Sequence, residues 1–346
     1  MDPITQGALG GAAAQALFCR RVSPVITWAG ILGGMAPDLD VLIRSQSDPL
    51  LFLIYHRSFS HSLAFIPFGG ALVGLLLWLL LGRRHRLRDL ILASIAGYAT
   101  HGLLDACTTY GTLLFWPFSQ RRISWDFISI IDPIYTAILI AGVIWSSTSR
   151  RGRPAIIALL LSTAYMGFGA WQHHRALQLQ RAIAASRGHA VVSGRAMPTL
   201  ANLFVWRSVY RSDGDLFVDA LRIGPALDLY WEGGSLPRAG LADIDPPPPP
   251  GSRLRRDLET FEWFAEGYTG LLNRQPWEIS DLRFSALPQS TEPLWGIRFD
   301  ASQTDRHAQR LRYPWSRGPG LATLKAMLLA TWPESRPPPK PFEKTE

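Results

Sequence analysis

Apolar segments close to the thickness of a bilayer's hydrocarbon core constrain this chain more than anything else in it. Ser62–Gly82, Asp89–Thr109, Ile131–Ser147 and Pro154–Trp171 each approach the ~20 apolar residues that a helix needs to cross hydrocarbon. Two weaker segments, Ile4–Phe18 and Val25–Ile43, precede them. Both are rich in Gly and Ala, with Gly7/Gly11 and Gly30/Gly34 at the GxxxG spacing that lets helices pack closely. All six lie in the first half of a 346-residue chain, and the second half is ordinary in polarity and rich in Arg, Pro and Trp. The expected architecture is therefore an all-α polytopic membrane bundle of about 5–6 apolar helices over residues 1–175. A soluble α+β domain over 176–335 and a disordered tail over 336–346 follow it.

Within the soluble part, Leu203–Arg211, Leu216–Ile223, Leu282–Ala286 and Trp295–Phe299 have the β-branched and aromatic content of strands bounded by turn residues. The proline run Pro246–Pro250 reads as an extended spacer or surface loop.

Charge orients the spans. The net charge of +8 is gathered in short runs, Arg20-Arg21, Arg83–Arg88 and Arg150–Arg153, which lie between apolar segments. Short basic loops beside membrane spans are the positive-inside signal, so a lipid bilayer rather than nucleic acid is the expected partner. With Arg83–Arg88 and Arg150–Arg153 in the cytoplasm, residues 44–61, 110–130 and everything after Trp171 fall outside. That expectation is a multi-pass membrane protein with its C-terminal domain on the outer side. Cys19 and Cys107 form no CxxC pair, so neither a zinc knuckle nor a disulfide framework is indicated. The opening MDPITQG carries no basic stretch of the kind a cleaved signal peptide has, so the start is expected to be retained.

Acids and histidines bracket the apolar segments. Asp38 and Asp40 stand in GGMAPDLD, His56 and His61 in HRSFSHS, His101 and Asp105 in HGLLD, and Asp126 and Asp132 in SWDFISIIDP. Ionisable groups in or beside membrane segments are costly, so each is a candidate for function. The topology above brings all eight to one membrane face, although it was derived without them. His101 and Asp105 are four apart, which sends both side chains off one helix face. An imidazole and a carboxylate so placed can hold a divalent metal or hydrogen-bond across helices. Asp38 and Asp40 could bridge metals or orient a water, or sit outside a helix end. Asp132 precedes Pro133 and reads as a helix cap, and Ser58 or Ser60 could cap the third span. Asp126 is intermediate between cap and catalytic group.

Rival chemistries lack their residues. His56 and His61 are five apart with no Glu between them, which excludes the HExxH zinc-protease pattern. The chain has no GxSxG elbow, no GxGD, and no Arg in the place that the SRxxxxxHxxxD lipid phosphatases require. A non-catalytic scaffold or transporter, whose polar residues pack helices or line a path, is the alternative class.

The segments MDPITQGALGGAAAQ, GGMAPDLDVL, HRSFSHSL, HGLLDACTTYGTLLFWPFS and IDPIYT together resemble the YdjM-like family of inner-membrane, metal-dependent hydrolases. Gln6 stands where many members have His, and Ser58 where others have Gly. The resemblance implies a fold distantly similar to zinc-dependent phospholipase C and P1-type nucleases, which cleave phosphate esters with a zinc cluster. It implies Asp38, Asp40, His56, His61, His101 and Asp105 as ligands of a divalent metal, with zinc expected. Asp40, Arg57 and Asp126 are the expected catalytic groups, Arg57 as a clamp for an anionic headgroup. The substrate class is a lipid-like phosphoester.

Overall fold

The computed structural model describes residues 1–313, 317–329 and 340–341. Two compact units divide the chain. The first comprises residues 1–43 and 55–170, the second residues 44–54 and 171–346.

The first unit is helical: α1 (Pro3–Leu17), α2 (Pro24–Met35), α4 (Ile66–Leu80), α5 (Leu87–Ala106), α6 (Pro133–Ser149) and the first half of α7 (Arg153–Ser186), while the short α3 (Leu51–Tyr55) falls almost wholly in the second. Proline stands in the first turn of α1, α2, α4 and α6, where its missing N–H leaves no helical acceptor unsatisfied and its fixed φ suits the helix. Asp2 caps α1, and Asp132 caps α6 by accepting from the Ile134 and Tyr135 amides. Ser58 makes no side-chain cap hydrogen bond, and the Ser60 hydroxyl is engaged elsewhere, as described below.

Among the described residues, Pro24–Leu42, Leu63–Leu80 and Arg153–Ser186 are long and apolar enough to cross a membrane, and α6 is a shorter apolar helix. Much of their large apolar surface faces outward: Phe68, Leu72, Leu76 and Leu80 on α4, and Leu160 and Leu161 on α7, are exposed. A helix whose outer face is aliphatic suits a hydrocarbon environment.

Small residues hold α1, α2 and α5 together. A Cβ at Gly34 would come within 2.6 Å of the Gln6 carbonyl, and one at Gly97 within 2.9 Å of the Gly34 amide and into the Gly30 carbonyl. Backbones meet directly at these points, a mode of packing that lipid, itself apolar, does not oppose by solvation. Gln15 adds polar anchorage from α1, donating to Thr27 Oγ1 at 3.0 Å and Ser147 Oγ at 2.8 Å.

The second unit is α+β. Strands β1 (Ser193–Pro198), β2 (Val205–Ser212), β3 (Asp215–Arg222) and β4 (Leu229–Pro237) form an antiparallel sheet, with β9 (Lys340–Pro341) at its edge. Ala176, Leu179 and Ile183 from the end of α7 pack with Trp206 and Leu221 of this sheet. Strands β5 (Thr269–Arg274), β6 (Trp277–Asp281), β7 (Trp295–Phe299) and β8 (Gln309–Arg312) form a second antiparallel sheet. Helix α8 (Arg253–Phe264) sets Phe261 and Phe264 edge-on to Trp295, and α9 spans Arg317–Leu329.

Two expectations change. Leu282–Ala286 is not a strand: β6 ends at Asp281, whose carboxylate accepts from the Arg283 amide at 3.1 Å and its Nε at 2.9 Å. That local side-chain bond turns the chain out of the sheet, as Asp does. Of the expected tail 336–346, only Lys340–Pro341 are described, as β9, and the rest lies outside the described residues.

Helix approach generates a test. Gly97→Ala should cost about 1–3 kcal/mol by overpacking and lower the thermal unfolding midpoint of detergent-purified protein. Gly167→Ala, where nothing lies within 4 Å of a new Cβ, should leave the midpoint unchanged or raise it. Equal midpoints for the two variants would contradict the packing account.

Candidate metal centre

Three segments of the first unit converge. Helix α2 runs into a 3-10 turn, Ala36–Leu42, that carries Asp38 and Asp40; a second 3-10 turn, Phe59–His61, ends at His61; and α5 contributes His101 and Asp105. The His61 loop reaches α5 because residue 102 is glycine: a Cβ there would collide with the His61 carbonyl oxygen. Backbone bonds from Leu113 to the Arg57 carbonyl and from Leu63 to the Leu114 carbonyl, each 3.0 Å, pin the loop from the other side. The Tyr98 hydroxyl donates to the Ser60 carbonyl at 2.8 Å.

Four side chains meet at one point: one ligand atom from each of Asp38, His61, His101 and Asp105 lies within 4.8 Å of the others. The two imidazole Nε2 atoms are 2.9 Å apart, and each is 3.4 Å from Asp38 Oδ1. Asp105 Oδ2 lies 3.3 Å from His61 Nε2 and 3.5 Å from His101 Nε2. Hydrogen-bond partners fix the tautomers. His101 Nδ1 is 2.5 Å from the Gly34 carbonyl, which can only accept, so Nδ1 carries the hydrogen and Nε2 a lone pair. Ser60 donates to Asp40 Oδ2 at 2.8 Å, and His61 Nδ1 lies 3.0 Å from the Ser60 oxygen and 3.1 Å from Asp40 Oδ2. Both neighbours accept, so His61 too presents a lone pair from Nε2.

Lone pairs from two imidazoles and two carboxylates thus aim at one small volume. Imidazoles oriented through the opposite ring nitrogen are the usual arrangement of metal-ligating histidines. Asp105 Oδ2 is buried and, among the described residues, accepts no hydrogen bond of good geometry, although Arg57 Nε lies 3.1 Å away as an ion-pair partner. The residues present therefore fit a divalent ion, and a nitrogen–oxygen donor set with buried imidazoles fits zinc. Without one, the site draws in a proton. Burial works against a charged His61, but hydrogen bonds to Asp105, Asp38 and Asp40 outweigh it and raise its pKa to about 9.

A second group, Asp38, Asp40 and His56, adjoins the first and shares Asp38. His56 Nδ1 is 2.7 Å from Asp40 Oδ1, and the Arg57 amide donates to Asp40 Oδ2 at 2.9 Å. This group forms the open edge, since the side chains of Asp38 and His56 are 23% and 21% exposed while those of His61, His101 and Asp105 are fully buried.

The structure therefore gathers all six sequence-expected ligands into two adjoining groups. Arg57 takes a different position from the clamp expected of it. Its backbone is left-handed (φ 60°), its side chain is buried, Nε lies 3.1 Å from Asp105 Oδ2, and Nη1 donates to Thr108 at 3.0 Å. The guanidinium is directed at a ligand carboxylate, and Tyr110 stacks on it at 4.8 Å. Asp126 is buried at φ 56° but belongs to neither ligand group among the described residues. Arg57, at positive φ between the candidate ligands His56 and His61, fits the clustering of backbone strain at functional sites.

Sequence reasoning singled out Gln6 as a departure from the family's His but not the support that it and Met1 give Asp105. Gln6 donates to Asp105 Oδ1 at 2.9 Å, and the Met1 amine pairs with the same oxygen. Only the glycine inside HGLLD gave a signal that a backbone crosses α5 there.

Comparison with known proteins agrees with the helical unit. The uncharacterized protein YfhP of Bacillus subtilis (strain 168) is 28% identical over 141 residues, covering 40% of this chain and 42% of YfhP. The inner membrane protein YbcI of Escherichia coli (strain K12) is 34% identical over 124 residues, covering 34% of this chain and 69% of YbcI. This chain thus spans less than half the length of the first of these relatives. No solved structure matches. The family profile described as YdjM inner membrane protein matches residues 1–176, and the chain belongs to the YdjM inner membrane protein family.

Proposed function

We propose that this protein is a divalent-metal-dependent hydrolase of the inner membrane, acting on a phosphoester of a lipid-like substrate at the outer face. The observation that carries the reading is the set of four lone pairs, from Asp38, His61, His101 and Asp105, directed at one point with tautomers fixed from behind. These four would hold one ion, and Asp38, Asp40 and His56 would extend the site toward solvent. When bound, a divalent ion supplies acidification of water and a positive charge for the phosphoryl oxygens.

The chain's own residues do the rest. Asp40 accepts from His56, Ser60 and the Arg57 amide, and so fixes two histidines at once. His56 keeps its Nδ1 hydrogen on Asp40, which leaves the Nε2 lone pair free to extend the site at the exposed edge. Arg57 offsets the charge of Asp105, so the site remains anionic at its open side and recruits cations there.

A multi-pass topology of about 5–6 spans with the site outside accompanies this reading. One fact supports the shared face: residues 44–54 belong to the same folded unit as residues 171–346. A soluble unit is not assembled from segments on opposite sides of a bilayer, because polar loops do not lie in hydrocarbon. The basic loops then give the direction.

Three outcomes follow. Purified protein should retain divalent metal and hydrolyse a lipid phosphoester in micelles. His101→Ala and Asp105→Ala should lower both metal content and turnover at least ~100-fold, and activity that survives both chelation and His101→Ala would sink the metal mechanism. Gly102→Ala, which adds one methyl where the His61 carbonyl sits, should weaken metal retention while leaving every ligand in place; unchanged metal content would mean that the loop does not depend on this contact. A reporter fused after Arg86 should read cytoplasm and one after Gly251 the outer compartment, and the reverse pair would move the site to the inner face.

A further inference from the structure

The connection between α5 and α6 exposes apolar side chains where a loop in water would show polar ones. Phe118 is 89% exposed, and Phe115, Trp125, Ile130 and Ile131 are exposed with it. Of the charged residues between 111 and 131, Arg122 and Asp126 are buried and only Arg121 is exposed. Apolar residues scattered singly over a surface mean little, but several on one fixed element mark a contact surface. The element is fixed. Thr112 and Ile123 exchange backbone bonds at 3.0 and 2.8 Å, and the Trp125 and Phe127 amides donate to the Ala106 and Cys107 carbonyls at 2.7 and 2.9 Å. Within the tip, the Trp116 and Phe118 amides donate to the Leu113 and Phe115 carbonyls, so this backbone asks less of water than an open loop does.

The hairpin is tied to the ligand segments through Arg57. The Arg57 carbonyl accepts from the Leu113 amide at 3.0 Å, and the Arg57 amide donates to Asp40 Oδ2 at 2.9 Å. On the hairpin side, the Trp116 ring lies 6.1 Å from the Phe59 ring. On the Asp40 side, Leu39 and Leu42 of the same 3-10 turn are exposed, Leu42 at 74%. That turn closes the apolar stretch Pro24–Leu42, and Leu63, bonded to the Leu114 carbonyl, opens the stretch Leu63–Leu80. The exposed residues therefore stand at adjoining ends of two candidate spans and continue their apolar surface.

Lipid is the occupant that these features fit. Aromatic side chains favour the boundary between headgroups and acyl chains. A non-helical backbone is excluded from lipid-exposed hydrocarbon, which leaves that boundary for the hairpin. Arg121 beside the aromatic tip matches an anionic headgroup. We propose that residues 112–123 form a lip seated in the headgroup–acyl boundary of one leaflet, with Phe115 and Phe118 as its anchors and Leu39 and Leu42 seated beside it. The open ligand edge, Asp38 and His56, then stands at headgroup depth. Resting on the phosphoester reading above, this makes the substrate a bilayer phospholipid that enters sideways from its leaflet instead of being drawn out into water.

The test places a nitroxide on the full chain, with Cys19→Ser and Cys107→Ala as background, in nanodiscs of phosphatidylethanolamine and phosphatidylglycerol. Labels at Phe118→Cys and Leu42→Cys should collide with oxygen several-fold more than with a water-soluble nickel chelate, as a label at Leu72→Cys on α4 does, while Arg84→Cys in the basic loop shows the reverse. A Phe118→Cys label that follows Arg84→Cys would overturn the lip. So would one shielded from both reagents, with spin–spin broadening if a second copy covers the tip and without it if another part of the chain does. Should the cysteine variants fail to fold, wild-type protein is irradiated with a phospholipid carrying a diazirine at the glycerol end of its acyl chain; adducts on residues 112–123 support the lip, and their absence beside adducts on α4 overturns it. None of these readouts needs turnover. A lip in lipid on a protein that binds no zinc would leave the lip standing and refute the metal reading instead.

Discussion

The close approach of α5 to α2, and to the loop ahead of α4, is the contact on which the site depends. Gly33 and Gly97 let the α2 and α5 backbones touch, and Gly102 admits the His61 carbonyl against α5. These contacts do more than fill space. The Gly34 carbonyl, brought near by the same packing, is the acceptor that fixes the His101 tautomer. A side chain at Gly102 would displace the loop that carries His61 as well as press on α5. In a medium where apolar burial contributes little to helix association, small residues and a few polar bonds such as those of Gln15 carry the packing, so stability and chemistry draw on the same surfaces.

Charge explains why the site has its composition. Asp38, Asp40 and Asp105 bring three carboxylates into a region whose other walls are helix backbone and imidazole. Burying so much negative charge is unfavourable unless cations accompany it. Arg57 supplies one beside Asp105, and Ser60 and the Arg57 amide spread the charge of Asp40 over two hydrogen bonds. What is left is the convergent point between the two Nε2 atoms. A proton on His61 can occupy it, and a divalent ion there would satisfy more of the lone pairs. Exposure falls from Asp38 and His56 at the rim to zero at His61 and His101, so the candidate ligands are buried on one side and open to their surroundings on the other.

Much of this was legible in the sequence, for physical reasons that differ between residues. His101 and Asp105 could be read because helix periodicity fixes their common face, and Asp132 because Asp before Pro is a helix start. The gathering of Asp38, Asp40, His56 and His61 about them followed from apolar segment lengths and the positions of basic loops. Which carboxylate serves which imidazole did not follow, since that depends on two 3-10 turns with no periodic signature. Arg57 looked like a free cation beside a histidine; its left-handed backbone turns it toward Asp105 instead. The assignment of residues 44–54 to the other unit left no trace in composition, because a short stretch that is polar over 44–48 and apolar over 50–54 reads the same wherever it docks. In the C-terminal unit, Leu282–Ala286 has strand-like residues, yet the bidentate pair of Arg283 with Asp281 outweighs that propensity.

The central claim is that four named side chains share one metal ion, and X-ray absorption at the zinc edge on purified, zinc-loaded protein tests it most directly. The account predicts a site of nitrogen and oxygen scatterers at about 2.0–2.1 Å, with the multiple-scattering signature of two imidazoles that drops to one in His101→Ala. A spectrum of hydrated zinc, or one that His101→Ala leaves unchanged, would contradict it.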